Sequence, residues 1–71
     1  MSDEARAAEL LEELRMAELQ IRELTERRLH LALEANEIGL TTTKIGEGVG
    51  VSQTAVSKWV RAARERRDVS H

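Results

Sequence analysis

The chain contains no proline, and its four glycines, Gly39, Gly46, Gly48 and Gly50, all fall within one window of twelve residues. Proline and glycine are the strongest local breakers of regular structure, so the segments on either side of that window can run as uninterrupted helices. The sequence predicts three helical segments: a long one over 3–38, a short one over 42–49 and a third over 53–67. No run of useful length alternates apolar and polar residues, so no strand is expected. The expected fold class is all-α.

The long segment carries a heptad pattern. With Ala7 at position a, the a series reads Ala7, Leu14, Ile21, Arg28 and Ala35, and the d series Leu10, Ala17, Leu24, Leu31 and Ile38. Only Arg28 among them is polar, which separates this stripe from an ordinary amphipathic one and gives the helix a coiled-coil-like seam. Arg28 interrupts the seam, so its partner-facing part is expected to end near Leu24. Beyond it, Leu29, Ala32 and Leu33 widen the apolar arc, as in a helix buried by more than one neighbour. Residues 28–38 are therefore expected to serve a local core. Residues 1–27 are expected to form a dimerisation helix through Ala7, Leu10, Leu14, Ala17, Ile21 and Leu24.

The competing reading for 7–24 is a helix that folds back on its own chain or projects into solvent. Gly39 is the first plausible turn, and the chain beyond it is used by its own core, which argues against folding back. An isolated helix of ~18 residues is marginal in water, so a partner is what would hold it. Either Ser2 or Asp3 is placed to cap this helix, with Asp3 and Glu4 at its positive end. Gly39 is expected to end it in a left-handed conformation, with Leu40 as a hydrophobic anchor over the last turn.

Size sharpens the need for a partner. A domain of 71 residues buries only about 60% of the surface its unfolded chain exposes. There is no cysteine, which excludes disulfides and thiolate-bound zinc, and Trp59 is the sole aromatic, so any core is small and aliphatic. Self-association or very regular helix packing remains. No apolar stretch approaches the ~20 residues a membrane span needs. The opening MSDEARAAELLEEL is acidic, the opposite of a secretory signal. A cytoplasmic, nucleoid-associated location is the expectation, with no membrane contact.

The formal net charge of −2 hides an asymmetry: residues 1–40 balance to −5 and residues 41–71 to +3. Such a difference between halves points to a polyanion partner for the basic half. That half holds the motif TTKIGEGVGVSQTAVSKWVR over residues 42–61. Two helices crossing steeply through a three- or four-residue turn need a backbone that tolerates positive φ, which Gly50 provides. Close approach needs a side chain no larger than alanine at Gly46, which is expected to face Trp59. Ile45 and Val49 share one face, and Val56, Trp59, Val60 and Ala63 form the matching stripe. Thr41 and Ser52 are placed to cap the second and third helices; Lys44 at N3 rules out a capping box.

These residues resemble the bacterial and phage helix-turn-helix family of DNA-binding domains. The likeness is close over 42–61 and extends to 28–65 with the preceding helix; residues 1–27 lie outside it. Ile45 and Gly46, Val49 and Gly50, Val51 and Ser52, and Val56, Trp59 and Val60 match the family pattern in register. Gly46 and Gly48 depart from it, standing where the family usually has alanine and a larger residue. Each interior glycine costs about 1 kcal/mol against alanine, so the second helix is expected to be the least stable part. The resemblance implies a tri-helical helix-turn-helix domain over 28–67, with a tail at 68–71.

With the apolar stripe assigned to the core, Gln53, Thr54, Ser57, Lys58 and Arg61 are expected to face outward, with Arg64 one turn on. Amide, hydroxyl and cationic groups there suit base edges in a major groove. An ordinary solvated helix face has the same composition, and for each residue base reading and phosphate contact both stay open. Thr42, Thr43 and Lys44 lie at a helix N-terminus, where free N–H groups favour phosphate, although the threonines are also alternative caps. Ser52 joins the candidate DNA-contacting set. The arginines of RAARERR are equally readable as a solvated helix end favoured by the helix dipole.

No metal site is expected from His30 and His71. The glycine cluster lacks the lysine and serine of a phosphate loop, and the glutamates of residues 9–26 are surface charges rather than a paired acid and base. An enzyme, a cofactor and a small-molecule ligand are not expected. The expected function is sequence-specific binding of double-stranded DNA by a homodimeric small transcriptional regulator, of prokaryotic or phage type by its resemblance. A recombination or partition accessory factor, or a coiled-coil adaptor whose helix-turn-helix binds protein, are the alternatives.

Overall fold

The computed structural model describes residues 3–69. Within them the chain forms three helices and no strand: α1 over Asp3–Glu37, α2 over Thr42–Val49 and α3 over Gln53–Val69. At 1.5 Å per residue, α1 is about 52 Å long, and the molecule measures 57 × 32 × 16 Å. Its radius of gyration is 17.4 Å, against about 11 Å for a compact chain of this length. The excess comes from the N-terminal part of α1, which stands clear of everything else.

Each helix ends where local chemistry dictates. Among the described residues α1 begins at Asp3, with Asp3 and Glu4 both in its first turn; Ser2 lies outside the described residues. At the other end the Leu40 amide donates to the Ala35 carbonyl and the Gly39 amide to that of Asn36. This is a Schellman closure, and it requires the positive φ of +116° that Gly39 adopts. The Thr41 hydroxyl accepts from the Lys44 amide to cap α2. Gly50, left-handed at φ +86°, ends α2, with its own amide and that of Val51 both donating to the Gly46 carbonyl. The Ser52 hydroxyl then caps α3 by accepting from the Ala55 amide at 3.1 Å.

The core is small and aliphatic. Leu29, Ala32 and Leu33 of α1, Ile45 of α2 and Val56, Val60 and Ala63 of α3 are buried, Val56 and Ala63 completely. Ala35, Val51, Trp59 and Ala62 pack around them half-buried. Burial begins at Leu29 although α1 runs unbroken through residues 27 and 28, so no backbone feature separates its two halves. The seam side chains before it are open: Leu14 is 64% exposed, Ile21 57% and Leu24 62%.

Three expectations are corrected. α3 is two residues longer than expected, taking in Asp68 and Val69, while Ser70 and His71 of the supposed tail lie outside the described residues. Val49 does not join Ile45 in the core but is 59% exposed, lining a groove together with Leu31 and Leu40. Gly46 faces not Trp59 but the turn: a Cβ there would meet the Val51 carbonyl oxygen at 2.7 Å and the Gln53 amide nitrogen at 3.4 Å. Alanine is therefore already too large. The Arg28 guanidinium lies 4.2 Å from the centroid of the Trp59 ring.

The two mid-helix glycines of α2 differ in what surrounds them, since a Cβ at Gly48 would meet nothing within 4 Å. Gly48→Ala should raise stability by up to about 1 kcal/mol through helix propensity. Gly46→Ala should lower it despite the same propensity gain, since backbone has to move. Thermal denaturation followed by circular dichroism checks both; a stabilised Gly46→Ala would contradict the close approach.

Candidate nucleic-acid interface

The outward face of α3 is set by the inward one. With Val56, Val60 and Ala63 buried, the 3.6-residue period sends Thr54, Lys58, Arg61 and Arg64 outward, all exposed, with Ser57 half-buried at the edge. The Gly50–Ser52 turn holds the start of α3 against the start of α2. A hydrogen bond fixes that junction: the Gln53 side-chain amide donates to the Thr42 hydroxyl at 3.1 Å. Gln53 therefore has its carbonyl oxygen, but only part of its amide, available to a ligand.

Thr42, Ser57, Arg61 and Arg64 line one shallow groove of about 300 Å³, together with Asn36 of α1. Arg64 is steadied there by donating to the Asn36 side-chain oxygen at 3.3 Å, while the Asn36 amide donates to the Leu40 carbonyl at 2.9 Å. Sequence reading missed Asn36, because nothing local connects it to a partner 28 residues away. Glu65 and Asp68, which the sequence shows only as carboxylates among the arginines of the helix end, line the same groove. Lys58 and Arg61 therefore lie in a stretch of α3 without carboxylates, while Arg64, Arg66 and Arg67 share the rest of the helix with Glu65 and Asp68.

Other residues fall elsewhere. Lys44, two positions beyond Thr42, turns to the opposite side of α2, where it lines an apolar groove with Arg28 and Trp59. Thr43, Thr54 and Lys58 are exposed but line neither groove. The Ser52 hydroxyl is engaged as the α3 cap, with its oxygen accepting from Ala55. At the far end of α3, Arg66 pairs with Glu26 and Arg67 with Glu37 of α1. The hydrogen bond from Arg67 to the Glu37 carboxylate raises the arginine pKa above its usual value, so this cation stays charged at every working pH. Exposed pairs of this kind are screened by solvent and add little to stability. Their larger effect is to turn two of the arginines in RAARERR back onto the protein.

Among the described residues no three His, Asp or Glu side chains gather as a metal site, and no helix is long and apolar enough to cross a membrane. Compared with protein-family models, curated proteins and solved structures, the chain matches none.

The cap at Ser52 fixes where α3 begins and hence which side chains lead it. Ser52→Ala should cost about 1 kcal/mol, and Ser52→Asp should restore the loss, since aspartate caps equally well. Chemical denaturation of the three proteins reads this; equal midpoints for all would remove the cap from the account.

Proposed function

We propose that the chain binds double-stranded DNA as a homodimer of helix-turn-helix type and acts as a small transcriptional regulator. The observation that carries the proposal is the leading face of α3, where Thr54, Ser57, Lys58 and Arg61 stand outward and no ion pair engages Lys58 or Arg61 among the described residues. The left-handed Gly50 and the close approach at Gly46 support the same reading, since a tight turn between two helices is what presents such a face. Base edges of a major groove accept amide, hydroxyl and guanidinium groups in this arrangement. Phosphate contacts would come from Thr42, Thr43 and Arg64 at its margins. α1 would join two copies, so that two α3 faces meet a two-part operator. A nucleoid location follows from such binding. Regulation would come through concentration or a partner protein.

A protein-binding adaptor is the second reading, favoured by the apolar groove beside Trp59 and by Glu65 and Asp68 near the cations. Salt separates the two. Each neutralised phosphate adds about 0.9 to the log–log slope of DNA affinity against salt, whereas an adaptor should bind DNA hardly at all. Oligonucleotides selected from a random pool supply the operator for this titration.

At fixed salt, Lys58→Ala or Arg61→Ala should lose about 1–3 kcal/mol of operator affinity where the residue reads a base, with relaxed preference at one base pair. Uniform loss across sequences assigns the residue to phosphate. Fluorescence anisotropy reads both, and no loss from either variant refutes α3 as the recognition helix. A separate variant addresses the dimer: Ile21→Glu would bury an unpaired charge in the seam. It should sediment as a monomer with a frayed α1 and bind operator only at the non-specific level. A wild-type chain that sediments as a monomer yet binds operator tightly refutes the dimer.

A further inference from the structure

The heptad stripe does not stop at Arg28. Leu24, Arg28, Leu31 and Ala35 are successive seam positions, and all four line one apolar groove of about 530 Å³. α2 and α3 complete it with Leu40, Val49 and Trp59. The guanidinium of Arg28 lies over the ring of Trp59, another lining residue of the groove. The exposed stripe of residues 7–24 thus continues, with Arg28 as its one polar position, into a trough within the three-helix unit.

We propose that this groove seats the N-terminal half of α1 from a second copy of the chain, with the two long helices antiparallel. The inference deepens the self-association proposed above and rests on it. Register supports it first. In an antiparallel pair each a residue faces a d residue of the other helix. The alignment that sets Ile21 against Leu24 of the second copy sets Leu14 against its Leu31, Leu10 against its Ala35 and Ala17 against its Arg28. Every seam position from Leu10 to Ala35 then finds a partner, and the bulkiest one meets the small Ala17. A parallel pair would instead stack Arg28 on Arg28 and Glu13 near Glu18 of the other copy, like charges at positions that set orientation.

Charge supports it second. Arg27, Arg28 and Lys44 line the groove, and no carboxylate does. The segment that would enter it, residues 7–21, carries Glu13 and Glu18 at the positions flanking its seam, while Glu9 and Glu12 pair with Arg6 and Arg15 on its outer side. An acidic amphipathic helix meets a cation-lined apolar trough.

The absence of cysteine makes the test clean. Residues 14 and 31 lie about 26 Å apart along one rigid helix, far beyond disulfide reach, so any bridge between them joins two chains. Under mild oxidation the Leu14→Cys/Leu31→Cys variant should convert almost wholly to covalent dimer, while Leu14→Cys alone should not. Crosslinking of the single variant means a parallel pair and overturns the proposal, as does a dimer that neither variant traps. Trp59 of the unmodified chain gives a second readout that depends on no substitution. Its emission should shift to longer wavelength on dilution through the dimer–monomer transition seen by sedimentation, and constant emission through that transition overturns the groove. A chain that remains monomeric at every concentration overturns self-association itself. Neither readout involves DNA, so the docked helix and the DNA-binding reading fail separately.

Discussion

The packing of Val56, Val60 and Ala63 against Leu29, Ala32 and Leu33 is the contact on which the rest depends. It fixes α3 across the second half of α1, and so decides which side chains of α3 face outward. It also leaves α2 with one buried large side chain, Ile45. α2 is accordingly held by its ends: the Thr41 cap, the left-handed Gly50 and the Gln53–Thr42 hydrogen bond. Eight residues containing two mid-helix glycines would not form a stable helix unaided, since nucleation costs more than so short a run returns. Gly46 shows why the sequence accepts that weakness. The turn that starts α3 passes so close that the helix must omit a side chain there.

So small a core constrains what the long helix can be. Large aliphatic residues from Leu10 to Ile21 stand outside the core of the single chain and remain exposed. A helix exposing this much apolar surface in one stripe is marginal in water by propensity alone. The stripe and the core nevertheless share one helix without a break, so whatever covers residues 7–24 transmits order directly into the segment that carries Leu29 and Leu33. Covering the stripe and stabilising the three-helix unit are therefore coupled through the backbone of α1.

Much of the local structure was legible in the residues. Helix limits followed from where glycine falls, and the Thr41, Ser52, Gly39 and Gly50 caps follow from short-range hydrogen bonding that any segment with those residues can make. The α3 stripe was readable from its period, and Leu29, Ala32 and Leu33 from the widened apolar arc. What escaped depends on how helices cross. Val49 lies on the same face as Ile45, yet the tilt of α2 carries it away from the core. Lys44 sits beside Thr42 in sequence but on the other side of the helix. The Arg28–Trp59 and Arg64–Asn36 contacts join residues about thirty positions apart, where no local pattern reaches. At the candidate interface the outward polar face could be inferred by elimination, but not the carboxylates that share its groove.

Charge makes the same point from another direction. The opposite balances of the two halves seemed to mark the whole C-terminal segment as a polyanion surface, yet Arg66 and Arg67 are spent on Glu26 and Glu37 of α1. Part of the asymmetry is internal, because an acidic helix and a basic one pack against each other. Glu65 and Asp68 offset the cations nearest to them. Lys58 and Arg61 are left in the first nine residues of α3, which hold no carboxylate. A field focused on that end favours an approaching anion in one orientation, whereas evenly spread arginines would favour none. Removing the partners of Arg66 and Arg67 on α1 would strengthen attraction for any polyanion while blurring that orientation, so the glutamates that appear merely to solvate α1 also sharpen the charge pattern of α3.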